Sequence, residues 1–157
     1  MVTMFSGQQK EKFDASGYLV IENFITDTVA AELRKLVLEM ASFEEQSGEG
    51  YYYPFDKSGL TQRVWNLTNK SKRFRDLLEK DELSEIMNYI FRRPTSHQLF
   101  HLSSFQANIL YPGAERQKLH IDTPFPEPLP PWPAKANSIW LLDDFTDENG
   151  ATEVVPP

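Results

Sequence analysis

The first half of the chain carries apolar residues at helical spacing, bounded by residues that cap helices. Ser6-x-x-Gln9 is a capping box and predicts a short helix that ends before Gly17. Thr26 is the expected N-cap of a second helix, and residues 70–78 are also expected to be helical. Two helices have an apolar face, one built from Val29, Leu33, Leu36, Val37 and Met40 and the other from Leu83, Ile86, Met87 and Ile90.

Short apolar runs predict strands, and most of them lie in the second half of the chain. Residues 18–21 and 64–67 are predicted strands within the helical half. Residues 105–111 predict a strand that ends at the Pro112-Gly113 turn. Residues 138–142 predict a buried strand, and residues 151–155 predict the start of another. Helices followed by short strands predict an α+β fold, in one domain over residues 1–157.

The composition fits a folded soluble protein and argues against several classes of function. The chain has 40% hydrophobic and 13% aromatic residues, which is typical of globular proteins. Its net charge of −7 argues against nucleic acid as a partner and provides no basic patch for a membrane surface. The chain contains no cysteine, so it has neither disulfides nor thiolate metal ligands. It shows no signal peptide and no apolar membrane span, and a cytoplasmic location is the expectation.

His120 and Asp122 lie two residues apart, beside a proline-dense stretch at 124–133. Alternate side chains of an extended segment point to one face, so the imidazole and the carboxylate can converge on one metal ion. Such a pair supplies two of the three ligands of the facial triad of non-haem Fe(II) oxygenases. The tripeptide alone is weak evidence, and a histidine hydrogen-bonded to a nearby aspartate is the alternative.

Three blocks of sequence resemble the phytanoyl-CoA dioxygenase family in order and spacing. They are Gly-Tyr-Leu-Val-Ile-Glu-Asn-Phe at 17–24, His-Ile-Asp-Thr-Pro-Phe at 120–125, and Glu-Asn-Gly-Ala-Thr-Glu-Val-Val-Pro at 148–156. Members of that family are Fe(II)- and 2-oxoglutarate-dependent oxygenases on a double-stranded β-helix, a jelly-roll-like and cupin-like sandwich. The resemblance therefore implies N-terminal helices packed on such a sandwich, and an enzyme that hydroxylates a small organic substrate with O2.

The resemblance also implies roles for four residues. His120 and Asp122 correspond to the first two iron ligands and are the expected catalytic residues. Trp140 lies where some members place an aromatic side chain beside 2-oxoglutarate, and Gln106 lies near a polar cofactor contact. The alternatives are an ordinary core tryptophan for Trp140 and an outward-facing strand residue for Gln106.

The end of the chain departs from the family pattern. Family members continue this last block into Gly-Ser-His, whose histidine is the distal iron ligand, and an arginine further on binds the distal carboxylate of 2-oxoglutarate. Here Pro157 follows Pro156, and no arginine occurs after Arg116. The third ligand, the carboxylate clamp and the C-terminal strands are therefore expected to be missing. His97 and His101 are expected to be framework histidines and not replacement ligands.

Three functional hypotheses follow from these residues. The leading one is the dioxygenase, with a substrate pocket that includes the aromatic run 51–55 and the proline stretch 124–133, although packing on the core is the preferred role of the aromatic run. Arg63 and Lys57 are expected on the solvated surface, with substrate or cofactor contact as the alternative. The second hypothesis is a truncated, catalytically inactive fragment or a non-catalytic metal- or ligand-binding domain. The third is a metal-dependent hydrolase or isomerase on the same scaffold, without 2-oxoglutarate.

Overall fold

The computed structural model describes residues 5–92, 100–122, 128 and 132–155. These residues form helices and a small antiparallel sheet, in the order α1 (Gly7–Ser16), α2 (Asp27–Gln46), β1 (Tyr51–Tyr52), β2 (Thr61–Val64), α3 (Leu67–Lys70), α4 (Lys72–Leu78), α5 (Asp81–Ile90) and β3 (Ala107–Leu110). Within the described ranges, no helix combines the length and the apolar content that crossing a membrane requires.

The helix caps confirm the sequence prediction for α1 and α2. The Ser6 hydroxyl accepts a hydrogen bond from the Gln9 amide at 3.2 Å, and the Gln9 side chain accepts one from the Ser6 amide at 2.8 Å. Gly17 ends α1 with φ of 74°, a conformation that costs little without a Cβ atom. The Thr26 hydroxyl accepts from the Val29 amide at 3.3 Å, which satisfies one of the free amides at the start of α2.

Two boundaries differ from the prediction because single residues turn the backbone. The strand expected at 64–67 lies at 61–64, since Asn66 has φ of 56° and ends the extended segment. The helix expected at 70–78 begins at Lys72, since Ser71 is extended with φ of −152°. The Ser71 hydroxyl then accepts a hydrogen bond from the Arg73 amide at 3.2 Å and caps α4.

The sheet has the order β1-β2-β3, with antiparallel pairing on both sides of β2. One face of β2 points toward α2, where the Gln62 side-chain amide donates to the Ala41 carbonyl at 3.2 Å. The Gln62 amide oxygen accepts from the Tyr111 hydroxyl at 2.8 Å, so this buried polar side chain has partners on both sides. The core between α2, the sheet and the short helices consists of Leu33, Val37, Ala41, Val64, Leu67, Phe74 and Leu77.

Three predicted strands are not strands in the structure. Residues 18–21, 138–142 and 151–155 are extended or irregular but pair with no strand in the part of the chain that the structure describes. An apolar run forms a strand only where a neighbouring strand accepts its backbone hydrogen bonds. Ile139 is 58% exposed, so the prediction of a buried strand at 138–142 is also wrong, and Val20 in the predicted strand 18–21 is 70% exposed. The observed fold is mixed helix and small antiparallel sheet, and the jelly roll stays a prediction.

Asp56 joins the turn between β1 and β2 to the segment after β3. Its carboxylate accepts hydrogen bonds from the Ser58 amide at 2.9 Å, the Thr61 hydroxyl at 2.7 Å and the Glu115 amide at 3.4 Å. The Ser58 hydroxyl donates to the same carboxylate. Hydrogen bonds from Ser58 and then Thr61 hold the pKa of Asp56 well below its usual range. Asp56 thus connects the β1–β2 turn, β2 and the segment after β3 through hydrogen bonds.

We expect the free energy of unfolding to depend on Asp56 ionisation in acid. Because the folded-state pKa is lowered, the unfolded chain binds this proton more readily than the folded chain. The stabilisation is therefore complete above about pH 5, begins to fall near the unfolded value of about 3.9, and is lost as the pH drops through the lower folded-state pKa. Thermal melts from pH 7 into acid should show that Asp56→Asn melts at a lower temperature than the unchanged chain at pH 7. Its melting temperature should also fall less steeply as the pH is lowered. Equal melting temperatures at pH 7 would contradict the role of the carboxylate.

Candidate metal and cofactor site

The structure brings His120 and Asp122 together, as the sequence predicts. His120 Nε2 lies 3.2 Å from Asp122 Oδ1, and the two side chains are 51% and 54% exposed. Two ligand atoms about 2.1 Å from one ion, at right angles, lie about 3 Å apart. The observed separation therefore fits two donors to one divalent ion at an accessible site.

The hydrogen bond made by His120 Nδ1 determines which ring nitrogen faces the Asp122 carboxylate. His120 Nδ1 lies 2.7 Å from the Lys118 carbonyl oxygen, which can only accept a hydrogen bond. Nδ1 is therefore the nitrogen that donates to this carbonyl, and Nε2 is the nitrogen that faces the Asp122 carboxylate. The 3.2 Å between Nε2 and Oδ1 fits a shared divalent ion, and it also fits the alternative of a histidine paired with a nearby aspartate. A histidine held by a backbone carbonyl in this way is typical of metal ligands.

Asn137 contacts the other oxygen of the same carboxylate. Its side-chain Nδ2 donates to Asp122 Oδ2, while Oδ1 of Asp122 faces the imidazole. Sequence reasoning missed this residue, because 15 residues separate the two side chains and no short spacing connects them. The proline-dense stretch between them lies largely outside the described residues, which omit 123–127 and 129–131.

No third metal ligand is found beside the pair in the described ranges. Groups of three or more His, Cys, Asp or Glu side chains that could hold a metal ion are absent from residues 5–92, 100–122, 128 and 132–155. His101 is exposed and belongs to no such group, whereas His97 lies outside the described residues. The described residues therefore supply two converging donors, His120 and Asp122.

Gln106 lies on the face of the sheet that points away from α2. Tyr51, Arg63 and Asn108 occupy paired register positions and therefore share this face. Gln106 continues the alternation two residues before Asn108, and its side-chain Nε2 lies 3.4 Å from Asn108 Oδ1. Its Oε1 is buried without a hydrogen-bond partner among the described residues. Gln106 thus lies on the outward face of the sheet, as in the alternative interpretation, and its contact with a cofactor stays a prediction.

Arg63 is held on the same face by aromatic side chains. The centre of its guanidinium lies 3.7 Å from the Tyr53 ring centroid and 5.8 Å from that of Trp65. Its Nε atom is buried without a hydrogen-bond partner in the described part of the chain. The expectation of a solvated surface arginine is therefore wrong, because two rings cover it, Tyr53 just after β1 and Trp65 just after β2. The predicted core packing of the aromatic run 51–55 does not hold for all of its residues, since Tyr51 is 40% and Phe55 79% exposed.

Trp140 contacts the core. Its ring meets Phe24 edge to face at 5.3 Å between centroids, and it packs against the buried core residues. Its indole Nε1 is buried and finds no acceptor among the described residues. These contacts match the core tryptophan of the alternative interpretation, while a contact of this ring with 2-oxoglutarate stays a prediction.

Comparison with known proteins finds a family model and several relatives, all of which are named as dioxygenases. Residues 13–157 match the family model "Phytanoyl-CoA dioxygenase (PhyH)". The chain is similar to "Dioxygenase af480" of Aspergillus fumigatus, with 30% identity over 142 residues, which are 89% of this chain and 44% of that protein. It is similar to "Multifunctional dioxygenase ausE" of Emericella nidulans, with 27% identity over 156 residues, 92% of this chain and 49% of that protein.

A third relative is "Multifunctional dioxygenase prhA" of Penicillium brasilianum, with 28% identity over 157 residues, 92% of this chain and 49% of that protein. The chain thus spans about half the length of the curated relatives it matches. No solved structure matches it at a significant level. Because the family model covers nearly all of the sequence, the chain belongs to the phytanoyl-CoA dioxygenase family.

Proposed function

We propose that this chain functions in a dioxygenase that requires Fe(II) and 2-oxoglutarate and hydroxylates a small organic substrate. The observation that carries the proposal is the 3.2 Å approach of His120 Nε2 to Asp122 Oδ1, with Nδ1 already bonded to a carbonyl. Family membership and the dioxygenase names of the relatives support the same reaction class.

The donor set fits Fe(II), which accepts one imidazole and one carboxylate readily. His120 and Asp122 would hold the ion, and the Lys118 carbonyl would keep the imidazole oriented toward it. Bound Fe(II) and 2-oxoglutarate supply the oxidation of a C–H bond by O2, with 2-oxoglutarate converted to succinate and CO2. The role of the protein residues is to bind, to orient and to keep the reacting groups together.

The outer face of the sheet suits an anionic cofactor. Arg63 is a partly buried cation, and no ion pair to it is found among the described residues. A guanidinium in this position gains from a carboxylate, which it can bind through two parallel hydrogen bonds. Gln106 lies on the same face, and the amide nitrogen of its side chain, which contacts Asn108 Oδ1 at 3.4 Å, has a second hydrogen that can be donated to a carboxylate. We therefore assign Arg63 and Gln106 to the binding of 2-oxoglutarate, with the exposed Tyr51 and Phe55 rings available to an apolar substrate.

A non-catalytic metal- or ligand-binding domain is the second candidate. It requires only the two donors, His120 and Asp122, that the described residues bring together. The two candidates differ in turnover. The dioxygenase forms succinate from 2-oxoglutarate only when Fe(II) and O2 are both supplied, as measured by proton NMR. A protein that binds Fe(II) and 2-oxoglutarate but forms no succinate would support the non-catalytic domain and contradict the dioxygenase.

We expect Arg63→Gln to weaken 2-oxoglutarate binding by about 10- to 100-fold, because a charged hydrogen bond contributes about 1.5–3 kcal/mol. Calorimetric titration of the Mn(II)-loaded protein measures the affinity without turnover. Lys57→Gln is the matched control, since it removes a positive charge from a nearby exposed loop position. An unchanged affinity in Arg63→Gln, or an equal loss in Lys57→Gln, would show that Arg63 is not a cofactor contact.

A further inference from the structure

The two oxygens of the Asp122 carboxylate have different partners. Oδ1 faces His120 Nε2 at 3.2 Å, and Oδ2 accepts a hydrogen bond from Asn137 Nδ2. A carboxylate has no proton to donate, so only the amide nitrogen of Asn137, and not its oxygen, can face it. The orientation of this amide is therefore set by the chemistry of its partner.

A free carboxylate at a half-exposed position rotates about its χ2 torsion and exchanges its two oxygens. With Oδ2 held by Asn137, rotation is restricted, and Oδ1 stays directed toward the imidazole. The same hydrogen bond occupies the oxygen that would otherwise allow a bidentate contact. Asn137 therefore favours a single oxygen of Asp122 as the donor.

Asn137 is itself placed by anchored residues that follow it. Trp140 lies against Phe24 at 5.3 Å between ring centroids, and Leu142 also packs against the core. Asp143 Oδ1 accepts from Arg34 Nε of α2 at 2.6 Å. These three contacts fix the segment after Asn137 to the helical layer. The Asn137 side-chain amide therefore contacts Asp122 from a backbone whose position is fixed.

We propose that Asn137 is a positioning residue for the metal site, which orients the Asp122 carboxylate so that Oδ1 and His120 Nε2 bind one divalent ion. This inference rests on the proposed function, because it requires that the pair binds a metal. Hydrogen bonds to a ligating carboxylate or imidazole typically change metal affinity by about 10- to 100-fold. Asn137 makes no bond to the ion in this arrangement.

The test is the affinity of the chain for Co(II) alone, measured by the visible absorption of the bound ion and by calorimetry. We expect Asn137→Ala to bind Co(II) about 10- to 100-fold more weakly than the unchanged chain. Asn137→Gln keeps the amide donor and should recover part of the loss. Asn88→Ala, at an exposed position of α5, is the matched control and should bind normally. Far-UV circular dichroism checks that each variant keeps its helices.

Two other results would overturn the inference in distinguishable ways. In the first, the unchanged chain and Asn137→Ala bind Co(II) equally tightly, whereas His120→Ala does not bind it. The positioning role of Asn137 is then wrong, and the metal site is supported. If the unchanged chain and His120→Ala bind Co(II) equally, or neither binds it, the metal site itself is wrong and the role of Asn137 falls with it.

Discussion

Replacing His120 by alanine is expected to weaken Fe(II) binding by more than about 100-fold, since even the outer partners of metal ligands contribute about 10- to 100-fold. Asp122→Ala should have a similar effect, because each change leaves a single donor. The fold should persist, since both side chains are about half exposed and neither belongs to the buried core. Anaerobic calorimetric titration with Fe(II), together with thermal melts, measures both quantities.

His101→Ala is the matched control for the imidazole. His101 is exposed, lies on the segment before β3, and belongs to no metal-binding group among the described residues. Its removal should change neither Fe(II) affinity nor melting temperature. If His101→Ala lost Fe(II) binding, or His120→Ala kept it, the assignment of the imidazole ligand would be wrong.

The largest expected change in stability is that of Phe74→Ala in α4. Phe74 is 1% exposed within the core, and truncation of a buried phenylalanine costs about 3–5 kcal/mol. That is a large part of the roughly 5–15 kcal/mol by which most domains are stable. Phe74 also meets Phe105 edge to face at 6.1 Å between centroids, and the Phe105 carbonyl accepts from the Leu67 amide at 3.1 Å. Loss of Phe74 should therefore loosen the approach to β3 and Gln106 as well.

Urea unfolding followed by tryptophan fluorescence measures this loss as a lower midpoint. Phe43→Ala, on the exposed side of α2, is the control of the same chemistry, because its ring is 69% exposed. It should shift the free energy of unfolding by no more than about 0.5 kcal/mol. Similar midpoints for Phe74→Ala and Phe43→Ala would contradict the assignment of Phe74 to the core.

The helices were predictable because their determinants are local. The capping box of Ser6 and Gln9, the cap at Thr26 and the apolar face of α2 all act within a few residues. The same locality explains the boundary errors. Asn66 adopts a left-handed conformation and Ser71 interrupts a helical pattern, and neither residue type demands this by itself.

The strands were less predictable because a strand depends on its partner. Residues 105–111 contain β3, whose pairing with β2 satisfies its backbone. Residues 138–142 have the same apolar character, and Trp140 does pack on the core, yet these residues pair with no described strand. Hydrophobicity predicts burial of one face but does not specify which strands are neighbours.

The pairing of His120 with Asp122 was predictable because only one residue separates them in the sequence. The spacing of His120 and Asp122 is enough to bring imidazole and carboxylate to one face. Asn137 could not be found in this way, and a cofactor contact of Arg63 was only the alternative to a solvated surface position. Their proposed roles rest on contacts between distant segments, with Asn137 meeting Asp122 and Arg63 stacking on Tyr53 across the β1–β2 turn. Such contacts exist only once the fold has formed.

The central claim is that His120 and Asp122 bind Fe(II) together with 2-oxoglutarate. Anaerobic titration of the chain with Fe(II) and 2-oxoglutarate, followed by visible absorption, tests it most directly. We expect an iron–2-oxoglutarate charge-transfer band that needs protein, metal and cofactor together and is absent from His120→Ala and Asp122→Ala. The absence of the band from the folded, unchanged chain at saturating Fe(II) and 2-oxoglutarate, or its persistence in both variants, would contradict the claim.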